Sequence, residues 1–396
     1  MINRKQLIEE ISAEATEWRR ELHRNPQTMY EETFASDFIC KKLTEWGIAH
    51  ERGIAKTGVV GTIEGRRNHS GRAIAFRADI DALDIVEQSG QPWSSQIPGK
   101  MHGCGHDGHT ASLLALAWYL QQTRNFDGIV RLIFQPAEEG GRGAFRMLDE
   151  GLLERFPFDE IYGYHNWPFI PRGKFAIRSG PMLAAVDNWE IRLQGKGGHA
   201  GMPHMTNDVV PAAAQLVLAL QTIVSRETDP LAAAVISITN LAAGTGAENV
   251  ITGMARLSGT VRTFRADVRD HIEQRMGAMA EAIATAFGGT SEYTYTRMMD
   301  ATINHPESTL ICQAAAAAIA GEENVHDMEP VMGGEDFGGF LLARPGAFIA
   351  IGQAEKDPTS PHNFICHHPK YDFNDAIIPT AAGYFAELAE RRLPID

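Results

Sequence analysis

Within the run His102-Gly-Cys-Gly-His-Asp-Gly-His109 the sequence gathers three histidines, a cysteine and an aspartate. Thiolate, imidazole and carboxylate together are the donors of a late first-row divalent metal. Gly103, Gly105 and Gly108 let the backbone bend closely around an ion. A lone Cys or His in a glycine-rich loop is ordinarily a packed side chain; this density of donors points instead to metal. Further downstream, Glu138-Glu139 directly follows a β-branched run, and neighbouring side chains diverge. One can therefore ligate metal while the other faces a substrate. His165, the pair His367-His368 beside Cys366, and Arg77-Ala-Asp79-Ile-Asp81 complete the polar clusters. Asp79, Asp81 and Asp107 read as carboxylates that orient ligands. His23, His69, His102, His109, His204 and His305 read as surface or supporting residues without a ligand role.

These clusters need elements that deliver them to one place. Apolar spacing predicts helices over 4–25 and 33–46, then strands over 59–64 and 73–78. Thr110 reads as the N-cap of a buried helix over 111–122, and 128–134 reads as a strand ending at Gln135-Pro136. Strands alternating with helices imply a largely parallel sheet covered on both faces, with functional groups at the carboxyl ends of its strands. From 188 to 297 the order becomes strand, helix, strand, strand, helix, strand, the βαββαβ order of a ferredoxin-like unit. A helix over 309–320 and a strand over 346–351 then resume the first pattern. The expectation is a two-domain α/β protein. A discontinuous catalytic α/β/α domain with a mixed sheet, 1–186 and 301–396, is interrupted by an inserted domain at 187–300.

The chain has 396 residues, enough for two domains. Its net charge of -14 argues against a nucleic-acid surface, which needs clustered Lys and Arg. No run reads as a membrane span; the best candidate, 209–225, contains Pro and two Gln and reads as a buried helix. The first ten residues lack a secretory apolar stretch, and four cysteines without CxxC spacing fit a reducing cytoplasm.

Seven spaced runs carry a resemblance that spans essentially the whole chain. They are Phe76-Arg-Ala-Asp-Ile-Asp-Ala-Leu83, His102–Thr110, Gln135-Pro-Ala-Glu-Glu-Gly-Gly141, Gly195-Lys-Gly-Gly-His-Ala-Gly201, Gly259-Thr-Val-Arg-Thr-Phe264, Gly333-Gly-Glu-Asp-Phe337 and His367-His-Pro-Lys-Tyr-Asp-Phe-Asn-Asp375. Together they resemble the aminoacylase–hippurate hydrolase family, which includes indole-acetyl-amino-acid amidohydrolases and belongs to the aminoacylase/carboxypeptidase metallopeptidase superfamily. The resemblance implies two divalent ions per subunit (Zn or Mn, with Co or Ni also open) held by Cys104, His106, Glu139, His165 and His367. It makes Glu138 the general base and acid. It makes the inserted domain a lid and dimerisation domain, hence a homodimer or higher homo-oligomer. His199 then reaches the partner subunit's active site, and Asn249 and Arg262 bind the substrate's polar groups and carboxylate.

Four departures stand out. Arg77-Ala-Asp79 replaces the superfamily's His-x-Asp, marking the variant with Cys104; Thr252 stands where proline is usual; residues 297–303 are atypical. His368 replaces the usual asparagine, which leaves the last ligand open between His367 and His368.

The implied reaction is hydrolysis of N-acyl-amino acids of the hippurate, N-acetyl or indole-acetyl type to a carboxylic acid and a free amino acid. The alternatives are a metallo-dipeptidase or carboxypeptidase-like hydrolase of small peptides, a thiol hydrolase built on Cys104, and a ligand-binding relative without activity. Full activity in chelator would mark the thiol enzyme. Loss of the base or of a ligand would mark the inactive relative.

Overall fold

The computed structural model describes residues 4–395. Packing divides the chain into two compact units. One runs to Met182 and resumes as Ile303–Glu329 and again from Asp336; the other is Leu183–Thr302 with Pro330–Glu335.

The first unit is built on an eight-stranded mixed sheet. Its centre is parallel, in the order Ile129–Gln135, Ala73–Asp79, Glu160–Pro171, Gly346–Ala354. Every residue of Ala73–Asp79 is buried, as expected of a strand covered on both faces. Gly58–Glu64 and Ala49–Ile54 extend one side in antiparallel fashion. Register decides where the chemistry sits, because Asp79 pairs with Gln135 at the carboxyl end of both strands. His165 is not at a strand terminus, since its strand continues to Pro171. It nonetheless lies just past the last pairing with the neighbouring strand, Arg77 with Gly163.

Helix Arg4–Arg24 buries Leu7, Ile8, Ile11, Ala15, Trp18 and Leu22, the face predicted by their spacing. That face also buries Arg19 and His23 completely. Arg19 lies 2.9 Å from Asp107 and 2.5 Å from Asp372, so its charge is compensated in the interior. Trp93 donates to the same Asp372 at 3.0 Å.

Helix His106–Thr123 corrects one expectation, for it begins four residues before Thr110. Gly105, at φ 95°, turns the chain into the helix, and the N–H groups of Gly108 and His109 bond back to its carbonyl. A glycine was needed: a Cβ there would fall 2.4 Å from Asn166 Oδ1 and 2.6 Å from the Tyr371 hydroxyl. Thr110 sits inside the helix and donates its hydroxyl to the Asp79 carbonyl at 3.1 Å.

The second unit is a four-stranded antiparallel sheet in the order Ala234–Ala243, Met254–Thr263, Ala185–Gln194, Thr290–Met299. Helices Val209–Thr222 and Ala266–Ala286 pack with it around Ile191, Leu193, Leu216, Leu257, Val261, Ile272 and Met276. This is the ferredoxin-like βαββαβ arrangement. By length and composition alone Val209–Glu227 is apolar enough to cross a membrane. Its Val209, Ala212, Ala213, Leu216 and Leu220 instead fill this unit's core. Pro330–Glu335 joins the unit because Ala184 N–H donates to the Gly333 carbonyl at 2.9 Å and Leu183 bridges to Val331.

His23 supplies a pH test of the first unit. Burial and Arg19 oppose its protonation, but Asp107 at 2.8 Å and Glu87 at 3.3 Å raise its pKa to about 9. A raised folded-state pKa stabilises the fold fully below the unfolded value of 6.5 and loses that contribution as pH rises through about 9. Thermal unfolding is expected to show stability falling across this window, and His23→Gln is expected to flatten that part of the profile.

Candidate metal centre

Three loops and one strand converge at the carboxyl ends of the parallel strands. Cys104 and His106 come from the turn into helix His106–Thr123, and Glu138-Glu139 from the loop after Ile129–Gln135. His165 comes from Glu160–Pro171, and His367 from the loop before the last helix. Ligand atoms of Cys104, His106 and His165 lie within 4.8 Å of one another. So do those of Cys104, Glu139 and His367, and those of His106, Glu138 and Glu139. Cys104 Sγ and His165 Nε2 are 3.3 Å apart, and His367 Nε2 and Glu139 Oε1 are 3.1 Å apart.

Hydrogen bonding fixes the tautomers. His165 Nδ1 lies 2.7 Å from the Asn166 carbonyl, which only accepts, so Nδ1 carries the proton and Nε2 presents a lone pair. His106 Nδ1 is bound likewise by the Asp81 carbonyl at 3.0 Å, with the Asp81 carboxylate at 3.2 Å. His106 Nε2 is buried and makes no hydrogen bond, with Asp79 Oδ2 3.6 Å away, and Glu139 Oε1 is buried with only the His367 ring against it. Buried polar atoms of this kind ordinarily have a partner. Aimed into one cluster, they suit a cation, and the residues present fit a divalent pair.

The electrostatics agree. Burial opposes charge on His106, yet Asp79, Asp81 and Glu139 raise its pKa to about 10, so a positive charge at this ring is favoured. Burial would raise Glu139, but His367 and His106 hold it below the usual carboxylate range. Burial and the neighbouring His109 depress His165 well below an ordinary imidazole. Cys104 goes the other way: Cys366, burial and the two glutamates push its thiol up. The chain's own groups therefore do not produce a thiolate, which a nucleophilic cysteine would require. A cation bound among the donors would favour one.

Of His367 and His368, it is His367 whose ring lies in the cluster. His367 has φ 70°, a left-handed conformation that costs a non-glycine residue about 1–3 kcal/mol. Its N–H is held by the Gly103 carbonyl at 2.8 Å. His368 accepts the Lys370 N–H at 3.0 Å and stacks on Phe364 with ring centroids 4.4 Å apart.

Supporting contacts extend inward. Asp81 Oδ2 accepts the Glu139 N–H at 2.9 Å, so one carboxylate serves two candidate ligands. Asp79 binds Arg77 at 2.6 Å and His109 Nδ1 at 2.6 Å, and His109 Nε2 meets Asn166 at 2.7 Å. Asn166 in turn donates to Tyr371 at 2.6 Å and to Gln353 at 3.1 Å. Tyr371 and Gln353 were not legible as site residues. His102 is fully buried, and burial drives its pKa down to about 3, so the ring is neutral.

The remaining predicted residues lie in the second unit. Gly198–His199 pairs with Val250–Ile251, and Ala200 N–H donates to the Asn249 carbonyl at 3.0 Å, which puts His199 beside Asn249. His199 is exposed and its Nδ1 accepts the Gly201 N–H at 3.0 Å, leaving the proton on Nε2. Arg262 is half-buried and bonds Thr260 and the Val261 carbonyl, with no carboxylate ion pair among the described residues.

With this geometry in hand, comparison with known proteins is specific. The family described as Peptidase family M20/M25/M40 matches residues 75–391. N-acetylcysteine deacetylase of Bacillus subtilis is 39% identical over 94% of each chain. Hippurate hydrolase of Campylobacter jejuni is 36% identical over 98% of each. The crystal structure of a dinuclear metal-binding peptidase of the M20 family from Bacillus subtilis superposes with a TM-score of 0.83 at 35% identity, covering 97% of this chain and 99% of that one.

Asp81 generates a direct test of the centre. Asp81→Ala removes the carboxylate that orients His106 and the Glu139 backbone, and is expected to weaken metal binding roughly 10–100-fold. Competition with a metal-binding dye measures it; unchanged affinity would contradict the orienting role.

Proposed function

The chain belongs to the M20/M25/M40 peptidase family, and from that premise we propose that it is a metal-dependent amidohydrolase that cleaves N-acyl-amino acids to a carboxylic acid and a free amino acid. One observation carries the reading: ligand atoms of Cys104, His106, Glu139, His165 and His367 crowd together in overlapping groups, with a second carboxylate, Glu138, beside them. The similarity to enzymes named for N-acetylcysteine and hippurate supports the substrate class.

In this reading Cys104, His106, Glu139, His165 and His367 hold two divalent ions. One thiolate, three imidazoles and one carboxylate favour zinc over manganese. When bound, the pair supplies Lewis-acid chemistry and makes water acidic enough to lose a proton near pH 7. Glu138, only 7% exposed, takes that proton as the water attacks the amide carbonyl. It returns the proton to the amine nitrogen as the C–N bond breaks. His199, with its proton on the outward Nε2, donates to the developing oxyanion, a contact worth about 3 kcal/mol. Arg262 offers a guanidinium without a carboxylate partner to the amino-acid carboxylate, and Asn249 binds the substrate's remaining polar group.

His199 performs this role across a homodimer formed through the inserted unit. Support comes from the unpaired outer edge of strand Ala234–Ala243 and from the exposed Leu218 and Leu231. Four free cysteines accord with work in a reducing cytoplasm.

The experiment is Glu138→Gln assayed on hippurate and N-acetyl-amino acids with bound metal verified. Turnover should fall by roughly 10²–10⁴-fold while the metal content stays unchanged. Near-normal turnover in the metal-loaded variant would overturn the mechanism.

A further inference from the structure

The loop bearing Glu138 and Glu139 is a tight one. Gly140 N–H bonds the Glu138 carbonyl at 2.7 Å, and Gly143 N–H bonds the Ala137 carbonyl at 3.0 Å. Ala137, the residue before Glu138, has φ 54°, a left-handed backbone that alanine seldom adopts. Such a conformation persists only where the surroundings over-determine it.

Glu32 holds the N–H of this residue. This carboxylate is fully buried and comes from a segment more than a hundred residues away in sequence. Its Oε1 accepts the Ala137 N–H at 3.0 Å and the Tyr30 N–H at 2.9 Å; its Oε2 accepts the Thr57 hydroxyl at 2.5 Å. Tyr30 is itself left-handed, at φ 63°, and its hydroxyl donates to the Gly141 carbonyl at 2.6 Å, on the far side of the same loop. Ala55 and Lys56, the two residues before Thr57, are left-handed as well. One carboxylate thus ties together three segments, each carrying strained non-glycine backbone, and grips the Glu138 loop at its entry while Tyr30 grips it at its exit. Burial and the Asp81 charge push the Glu32 carboxyl up to about 7, against the Thr57 hydroxyl and the backbone N–H donors.

We propose that Glu32 is a positioning residue for Glu138: by fixing the Ala137 N–H it sets the backbone from which the base projects. The proposal rests on the reading of Glu138 as the base. A residue that merely staples the N-terminal segment would change stability and leave turnover alone.

The test compares Glu32→Gln, Glu138→Gln and the double variant in the full chain, with kcat, KM, bound metal and unfolding temperature measured for each. Glu32→Gln keeps the size but turns one acceptor into a donor. Its kcat is expected to fall roughly 10–100-fold at unchanged KM and metal content, as misplacement of a reacting group does. The double variant is expected to be no slower than Glu138→Gln alone, because the two act as a unit. A Glu32→Gln kcat within about twofold of the parent beside an inactive Glu138→Gln would overturn the proposal and leave the base intact. Loss of bound metal would also overturn it, placing the effect on Glu139. An active Glu138→Gln would sink the base and this proposal together. Should Glu32→Gln not fold, Tyr30→Phe removes the Gly141 contact and the hydroxyl's contact with Arg146, and Arg146→Ala controls for the latter; a lowered kcat at unchanged KM in Tyr30→Phe alone supports the clamp and an unchanged kcat overturns it.

Discussion

Asp81 stands just beyond a buried strand, and its carboxylate meets both the His106 ring and the Glu139 N–H. Those partners reach it from different directions, one from a helix start and one from the loop after the neighbouring strand. The parallel register of Ala73–Asp79 with Ile129–Gln135 makes that meeting possible. Slipping either strand by one residue would turn its side chains to the opposite face and separate them. The candidate metal centre therefore depends on strand register first and on its own donors second.

Around this constraint the interior is unusually charged. Arg19, His23, Asp107 and Asp372 are buried in one network on one side, and Arg77, Asp79 and Asp336 in another. Buried charges of this kind are costly unless paired, and replacing them with apolar groups is often neutral for stability. Their position explains their presence better than stability does. Asp107 follows His106 directly and Asp79 binds His109, so both networks brace the turn that presents Cys104 and His106. The left-handed residues Ala137 and His367 flank the same centre. Strain there accords with a preorganised site.

Much of this was legible in the sequence, for identifiable reasons. Helical spacing from Leu7 to Leu22 located the first helix, and alternation located the βαββαβ unit, because each pattern reports one buried face. The donor-rich runs located the centre because carboxylate, thiol and imidazole seldom crowd together without cause. What escaped depends on long-range contacts. Arg19 and His23 lie on an apolar face, a signal that could have been read, but their acidic partners lie far along the chain. Thr110 looked like a cap, yet a glycine at positive φ began the helix earlier. Residue type does not say which of His367 and His368 turns its ring to the centre, because that depends on how the loop folds against Gly103 and Phe364. Pro330–Glu335 has no periodicity and is placed only by its bonds to Leu183 and Ala184.

Membership of the M20/M25/M40 family and the arrangement of donors lead to the central proposal, that two divalent ions held at the strand ends support hydrolysis. The most direct measurement titrates metal into chelator-stripped protein while following hydrolysis of an N-acyl-amino acid. The account predicts no activity in chelator, binding of two equivalents per subunit, and full turnover only when both are bound. Full hydrolysis by the stripped protein, or saturation with metal that leaves every N-acyl-amino acid intact, would contradict it.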